Sequence, residues 1–501
     1  MKSATVFALL LAVFLLQPQV SPAEDADSWD NPAFGYVAEG RGVWGPGGRR
    51  GGNIDSTMKA LADAGINMIY PNISSGGRAS YPSSVMPMRG DTDRLAQLVE
   101  AAHKYGIEVH AWRINWYMGG ASEEWTEQMI KEGRIQYSWD GRRNGPVMKD
   151  EGYNQPEDWL CPSHPANREL EKEAMLELVR NYDVDGVHFD YMRYSNDNFC
   201  YCEGCRERFC EAMGLTIDNW PAPVWKEGKL REVYLEWRRQ LIHTSAREIA
   251  REVHKLDPYV SVTLAARNSI NWCTYSDGQE WWKWCDEGIL DMLCAMNYST
   301  DSTRFIERME AHLPLMKGSV PYYSGLGMYE MDSYDQLAAN ANAGRARGHD
   351  GWIAFNSRGI MPYLDQVREG LNKKPALLPH RAPEVRWRFA SGTMDDAPQG
   401  YPRYSAGTVI NVNTSVMFKG MLREGITRIR GDFCIVSMEG KVLKKLKAVD
   451  LNAAERIELD VNFLQTGRYR LALYGEMTLS NGETKPFITN SFPFEIATPR
   501  Y

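Results

Sequence analysis

The sequence predicts a (β/α)8 barrel followed by a small all-β sandwich, and three observations carry that expectation. Apolar runs alternate with helix-patterned stretches eight times between residues 40 and 372. The long irregular stretches Trp116 to Ala166 and Ser195 to Lys229 each follow a strand, on the side where a barrel carries its active site. After Leu371 the helical pattern stops, and alternating segments separated by turn residues take over.

The strands are expected at Gly42 to Gly45, Ile66 to Ile73, Ile107 to Asn115, Asp185 to Met192, Val260 to Ala266, Leu290 to Tyr298, Val320 to Leu326 and Gly351 to Asn356. Helix periodicity falls at Ile54 to Ala64, Asp93 to Tyr105, Asn167 to Tyr182, Leu230 to Leu256, Gln279 to Glu287, Ser302 to Leu313, Tyr334 to Arg347 and Pro362 to Leu371. Gly65, Gly106, Gly288 and Gly348 stand where a helix would end in a left-handed residue. An open doubly wound sheet is the alternative, but no Gly-x-Gly-x-x-Gly follows an early strand. The barrel is placed at 40–372 and a linker at 373–384. A sandwich at 385–501 would use segments such as Gly407 to Ser415, Asp432 to Ser437, Arg456 to Val461, Arg468 to Tyr474 and Pro486 to Ile496. It offers no catalytic cluster, so carbohydrate contact or buttressing is its expected role.

Lys2, the apolar run Val6 to Leu16 and the small residues Ser21-Pro22-Ala23 read as a signal peptide over 1–23, so the mature chain is expected to be secreted or periplasmic. No later segment is apolar enough to span a membrane. A formal charge of −8 without a basic block argues against nucleic acid as a partner. The 16 Trp and 25 Tyr suit a protein that stacks rings on sugar faces, although they also serve cores. Of nine cysteines, Cys200, Cys202, Cys205 and Cys210 crowd together. That spacing admits a zinc knuckle or two local disulfides, and an oxidising compartment favours the disulfides as a structural staple. No metal or cofactor is expected at the active site.

The most informative run is Asp185-Gly186-Val187-His188-Phe189-Asp190-Tyr191-Met192-Arg193-Tyr194. Alternate strand residues share a face, so Gly186, His188 and Asp190 point one way while Val187 and Phe189 point the other. An Asp at a strand end is as often a cap or an ion-pair partner as a catalyst; the barrel context favours the catalyst. Residues at the other strand tips would share its pocket: Trp44, Asn72, Arg113, Asn115, His188, Arg193, Arg267, Asn297, Tyr298 and Asn356. Such an amide-rich and aromatic set suits hydroxyl and acetamido groups better than phosphate. Glycoside cleavage needs a carboxylic acid near the leaving oxygen and, in the usual schemes, a second carboxylate. Asp190 is the candidate acid. Glu330 is chosen as its partner because it follows a strand tip across the barrel, although each single acid there is more often a solvated surface group. A substrate acetamido group could replace that second carboxylate.

At these residues the sequence resembles the bacterial glycosyl hydrolase-like 10 family: Arg41-Gly42-Val43-Trp44, Asp183-Val184-Asp185-Gly186-Val187-His188-Phe189-Asp190, Met296-Asn297-Tyr298 and Gly325-Leu326-Gly327. The likeness runs from about Gly40 to Leu371. It implies a secreted TIM-barrel hydrolase acting on a polysaccharide, and for some members the glycan strands of peptidoglycan. In the commoner family pattern a second acid follows the strand-four Asp, and here Tyr191 holds that place. The expected function is a secreted glycosidase that cleaves a polysaccharide, a peptidoglycan strand or another N-acetylated glycan being one option; the alternative is a barrel that binds carbohydrate without cleaving it.

Overall fold

Eight parallel strands close into a barrel in the order in which the chain supplies them. They are β1 (Gly40–Trp44), β2 (Met68–Tyr70), β3 (Glu108–Ile114), β4 (Gly186–Asp190), β5 (Ser261–Ala266), β6 (Met292–Ala295), β7 (Tyr322–Gly327) and β8 (Gly351–Phe355). Each pairs in parallel with the next, and β8 returns to β1 with Gly351 opposite Gly40. The computed structural model describes residues 29–46, 53–152, 157–316, 318–390, 402–452 and 456–497. The expected signal segment 1–23 lies outside them. No described helix is long and apolar enough to cross a membrane.

All eight anticipated helices form, and local chemistry sets their ends. Asn53 and Asp93 cap the helices Ile54–Asp63 and Arg94–His103 by accepting from backbone N–H groups in the first turn. The strand expected over Ile66 to Ile73 breaks at Pro71, and its second part, Asn72–Ser75, pairs with β3. The two long insertions carry helices of their own, Glu123–Lys131, Asn144–Asp150 and Glu203–Met213.

Alternation sorts the barrel wall as the fourth-strand run predicts. Val187 and Phe189 enter the apolar layer between strands and helices. Gly186 faces inward, where a Cβ would lie 2.2 Å from His110 Nδ1, so only glycine lets the His110 ring occupy the interior. Trp44, Met68, Tyr70, Trp112, Met292 and Tyr323 fill that interior.

After the barrel, a three-stranded sheet (Val385–Phe389, Asn411–Val416, Arg456–Asp460) and a larger one (Arg403–Ser405, Ile426–Val436, Val442–Leu451, Gly467–Leu479, Thr484–Asn490, Phe494–Ala497) share one hydrophobic core. Pairing is antiparallel except between Arg403–Ser405 and Phe494–Ala497. The segment expected as a linker is docked instead. Ala376–Leu377 pairs with Val37–Ala38, and Arg381 Nε and His380 Nε2 lie 2.6 and 2.9 Å from the carboxylate of Glu108 at the lower mouth of the barrel.

Candidate active site

A cavity of about 500 Å³ opens at the C-terminal ends of the strands. It is lined by Trp44, Trp112, Ile114, Tyr117, Met148, Trp159, Asp190, Tyr191, Arg193, Ser195, Ala265, Arg267, Met296, Tyr298 and Phe355. Two aromatic pairs stack in its walls, Trp159 on Tyr191 with ring centres 5.0 Å apart and Tyr298 on Phe355 at 5.3 Å. Flat apolar faces beside polar tips are what sugar rings require.

Asp190 is the one carboxylate lining the cavity among the described residues. Its Oδ1 accepts from the Tyr191 N–H at 2.8 Å and its Oδ2 from Trp112 Nε1 at 3.2 Å. Burial dominates its titration and lifts the carboxyl to about 6, against the opposing pull of Arg193 and these two donors. No described cation comes within ion-pair range of it. Arg193 instead lays its guanidinium over the Tyr191 ring at 4.1 Å, and its Nε has no hydrogen-bond partner among the described residues. Arg267 is bound to Asp277 by a 2.8 Å contact behind the cavity wall. Burial and the nearby Asp190 charge hold the Tyr298 hydroxyl well above its ordinary pKa, so it stays a donor.

Tyr191 follows Asp190 with φ of 53°, a left-handed conformation that a bulky residue rarely adopts. Strain of this kind, on the order of 1–3 kcal/mol, is stored where the surroundings over-determine it. Here the Asn115 N–H holds the Asp190 carbonyl at 2.7 Å and the Arg193 N–H holds the Tyr191 carbonyl at 2.6 Å. The kink accompanies the stacking of the Tyr191 ring on Trp159, and the Tyr191 N–H holds the acid's Oδ1.

Of the sequence-predicted residues, the structure brings together Asp190, Trp44, Arg193, Arg267 and Tyr298. His188 lies one layer deeper. Trp44 Nε1 can only donate, so His188 Nε2 accepts at 3.0 Å and Nδ1 carries the proton toward Thr263 Oγ1 at 2.7 Å. Burial and His110 keep this imidazole neutral. Its role is to fix Trp44, not to touch a ligand.

The other predicted residues fall elsewhere. Trp112 and Ile114 face the cavity, so Arg113 and Asn115 face the helices, where Glu171 takes Nε and Nη2 of Arg113 at 2.7 and 2.8 Å and Asn115 Nδ2 at 2.8 Å. Asn297 lies between the cavity-lining Met296 and Tyr298 and turns away to donate to Tyr322 Oη. Asn356 caps the short helix Ser357–Ile360. Asn72 is exposed and lines a separate cleft with Arg94 and Arg358. Glu330 projects into solvent from the turn after β7, while its neighbour Tyr329 packs edge-on against Tyr298 and Phe355.

The expected cysteine staple is drawn differently: no two of the nine cysteines are disulfide-bonded in the structure. Cys200, Cys202 and Cys205 gather with Cys161, from the other insertion, instead of with Cys210. Cys205 and Cys210 are five residues apart on one helix, hence about 140° apart around it.

A larger cavity, about 690 Å³, lies at the opposite end between barrel and sandwich. Two ion pairs in its lining, His254 with Asp291 and Asp350 with Arg470, tie the elements around it together, whereas Asp190, the carboxyl that burial lifts, lines the smaller cavity. The candidate site is the smaller one.

The family model described as glycosyl hydrolase-like 10 matches residues 52–317, the stretch that carries β2 to β6 and Asp190. The chain belongs to the glycosyl hydrolase-like 10 family. Among curated relatives of this family member, an S-layer-related protein of Niallia circulans is 23% identical over 239 residues, 40% of this chain and 14% of that protein. Glycosyl hydrolase DigH of Escherichia coli is 26% identical over 167 residues, 28% of this chain and 36% of that protein. The chain thus spans well under half of either relative. The glycoside hydrolase domain of PgaB (BpsB) from Bordetella bronchiseptica superposes with a TM-score of 0.54 at 14% identity, over 66% of this chain and 98% of that one. That likeness is one of fold, and it places this glycosyl hydrolase-like 10 barrel among TIM barrels.

Sequence reasoning left Tyr191, Met148 and Phe355 out of the pocket. Phe355 was legible, since it ends β8; Tyr191 was not, because its left-handed kink reverses the alternation that would have turned it outward. Met148 comes from a helix inside an insertion, and no sequence periodicity ties it to the barrel.

Proposed function

We propose that this chain is an exported glycoside hydrolase that cleaves an N-acetylated glycan, such as a peptidoglycan strand, with Asp190 as general acid. The observation that carries the reading is one carboxyl, raised to about 6 by burial, in an aromatic-walled cavity. A carboxyl at that value is protonated in mildly acidic solution and can deliver its proton to a leaving glycosidic oxygen. Among the described residues no second carboxylate lines the cavity, and a substrate acetamido oxygen can attack the anomeric carbon in its place. Arg193 and Tyr298 then offer donors for sugar hydroxyls, and the stacked pairs offer faces. The names of the DigH and S-layer-related relatives support glycan cleavage and a place at the cell surface.

The test compares wild type with Asp190→Asn for reducing-end release from peptidoglycan with and without its peptides, and from de-N-acetylated glycan. Release from N-acetylated glycan alone, lost in the folded variant and falling as pH rises through about 6, is the expected result. The lack of a second acid also favours another reading, a barrel that binds glycan without cleaving it. Saturable binding with no reducing ends from the wild type would establish that reading and overturn the first.

A further inference from the structure

We infer that Cys161, Cys200, Cys202 and Cys205 form a tetrathiolate site for one zinc ion that clamps the two long insertions together. The four sulfurs meet in a closed ring of contacts: Cys161 to Cys205 at 3.5 Å, Cys205 to Cys200 at 3.7 Å, Cys200 to Cys202 at 3.5 Å and Cys202 to Cys161 at 3.7 Å. All four lie within 4.8 Å of one another, and all four residues are buried. Four sulfurs held about 2.3 Å from zinc at tetrahedral corners stand about 3.8 Å apart. The four measured edges, 3.5 to 3.7 Å, therefore come within a few tenths of an ångström of those of a zinc tetrathiolate.

The surroundings fit an anionic cluster. Cys202 is the N-cap of the 11-residue helix Glu203–Met213, and Cys205 lies in its first turn, where the helix dipole favours thiolates. Ser163 Oγ lies 3.1 Å from Cys161 Sγ and 3.3 Å from Cys205 Sγ, within reach to donate to either. The Arg208 guanidinium approaches Cys161 Sγ at 3.9 Å and holds Ser163 Oγ with its Nε. Such outer contacts orient metal ligands and offset their charge. The remaining buried cysteines, Cys273, Cys285, Cys294 and Cys434, form no such group. Buried thiols used only as small apolar side chains are dispersed in this way.

The clamp joins segments of known position. Cys161 follows Trp159, and Cys200 follows Ser195, and both Trp159 and Ser195 line the active-site cavity. Zinc would replace the thiol protons, which leave to solvent, with no change of oxidation state.

The test is metal analysis of the full chain purified without chelator. About one zinc per chain, released on mercurial titration of the thiols, is expected. Cobalt(II) added to stripped protein should give the thiolate charge-transfer absorption of tetrahedral sulfur coordination. Cys161→Ser and Cys202→Ser should each lose the metal, while Cys210→Ser and Cys273→Ser keep it. Wild-type protein without metal would overturn the site, whether the four cysteines are then found disulfide-linked or as free alkylatable thiols. Iron in place of zinc would overturn the choice of ion. Should the ligand variants fail to fold, the wild-type stoichiometry and metal retention in Cys210→Ser still decide.

Discussion

Glu108 and Asp190 are carboxylates on inward-facing positions of neighbouring strands, one at each mouth of the barrel, and they are driven in opposite directions. Burial alone would raise both. At the lower mouth, burial is overcome by Arg381 and His380, and Glu108 sits well below the ordinary carboxylate range. At the upper mouth no cation closes on Asp190, and burial lifts it to about 6. Burial supplies the same push in both places, and the presence or absence of a docked cation decides whether the carboxylate becomes a fastener or an acid.

The largest expected difference between the two mouths is catalytic. Asp190→Asn should lower glycan cleavage on the order of 10²–10⁴-fold, the usual worth of a positioned acid, whereas Glu108→Gln should leave the rate per folded molecule near wild type. Stability reverses the order. Removing the Glu108 charge leaves Arg381 buried without its anion, and urea denaturation should register a loss of about 3–5 kcal/mol. A Glu108→Gln protein as stable as wild type would break the comparison.

Proton linkage separates the two mouths further. The Asp190 carboxyl rises from 3.8 to about 6 on folding, so its contribution to stability is complete below 3.8 and lost as pH rises through about 6. Relative to Asp190→Asn, wild type should lose on the order of 3 kcal/mol across that window, measured as paired urea titrations at each pH. Glu108 has the opposite sign: its contribution is present above the unfolded value of 4.5 and lost as pH falls below it. A flat difference between wild type and Asp190→Asn would mean that Asp190 is not held protonated by burial. The smallest effect concerns the aromatics. Trp159→Ala should weaken glycan affinity about tenfold, near 1.4 kcal/mol, and Tyr259→Ala, which removes the ring beneath Arg381 and Arg423 at the lower mouth, should not change it.

How much of this was legible in the sequence follows from which forces are local. The eight strands and eight helices were, because period and caps are local properties, and so was the inward set Gly186, His188 and Asp190. The same alternation applied to β3 would have removed Arg113 and Asn115 from the site once Trp112 was taken as inward. Strand sequence alone does not say which parity faces in, and Glu171, the partner that claims both residues, lies on a helix 58 positions from Arg113. Glu330 was misplaced for a related reason: a turn can aim its side chains either way, and here Glu330 points to solvent while the partly exposed Tyr329 lays its ring edge-on against Tyr298 and Phe355. The cysteine cluster was half visible, since three members sit in one short run while the fourth arrives from an insertion whose path no pattern fixes.

The strip from Asn31 to Ala38 runs ahead of the barrel in sequence but packs on the sandwich. Asn31 Nδ2 donates to Asp432 Oδ2 and to the Tyr474 carbonyl, 401 and 443 positions away, and Ala33 sits in a small core with Cys434, Ala472 and Ile488. On the ribosome this strip is made early and must wait for almost the whole chain before its partners exist. The last seam to close therefore joins the two extremes of the described polypeptide, so a nascent chain halted before Asp432 can hold a finished barrel while its leading strip is still exposed to proteases.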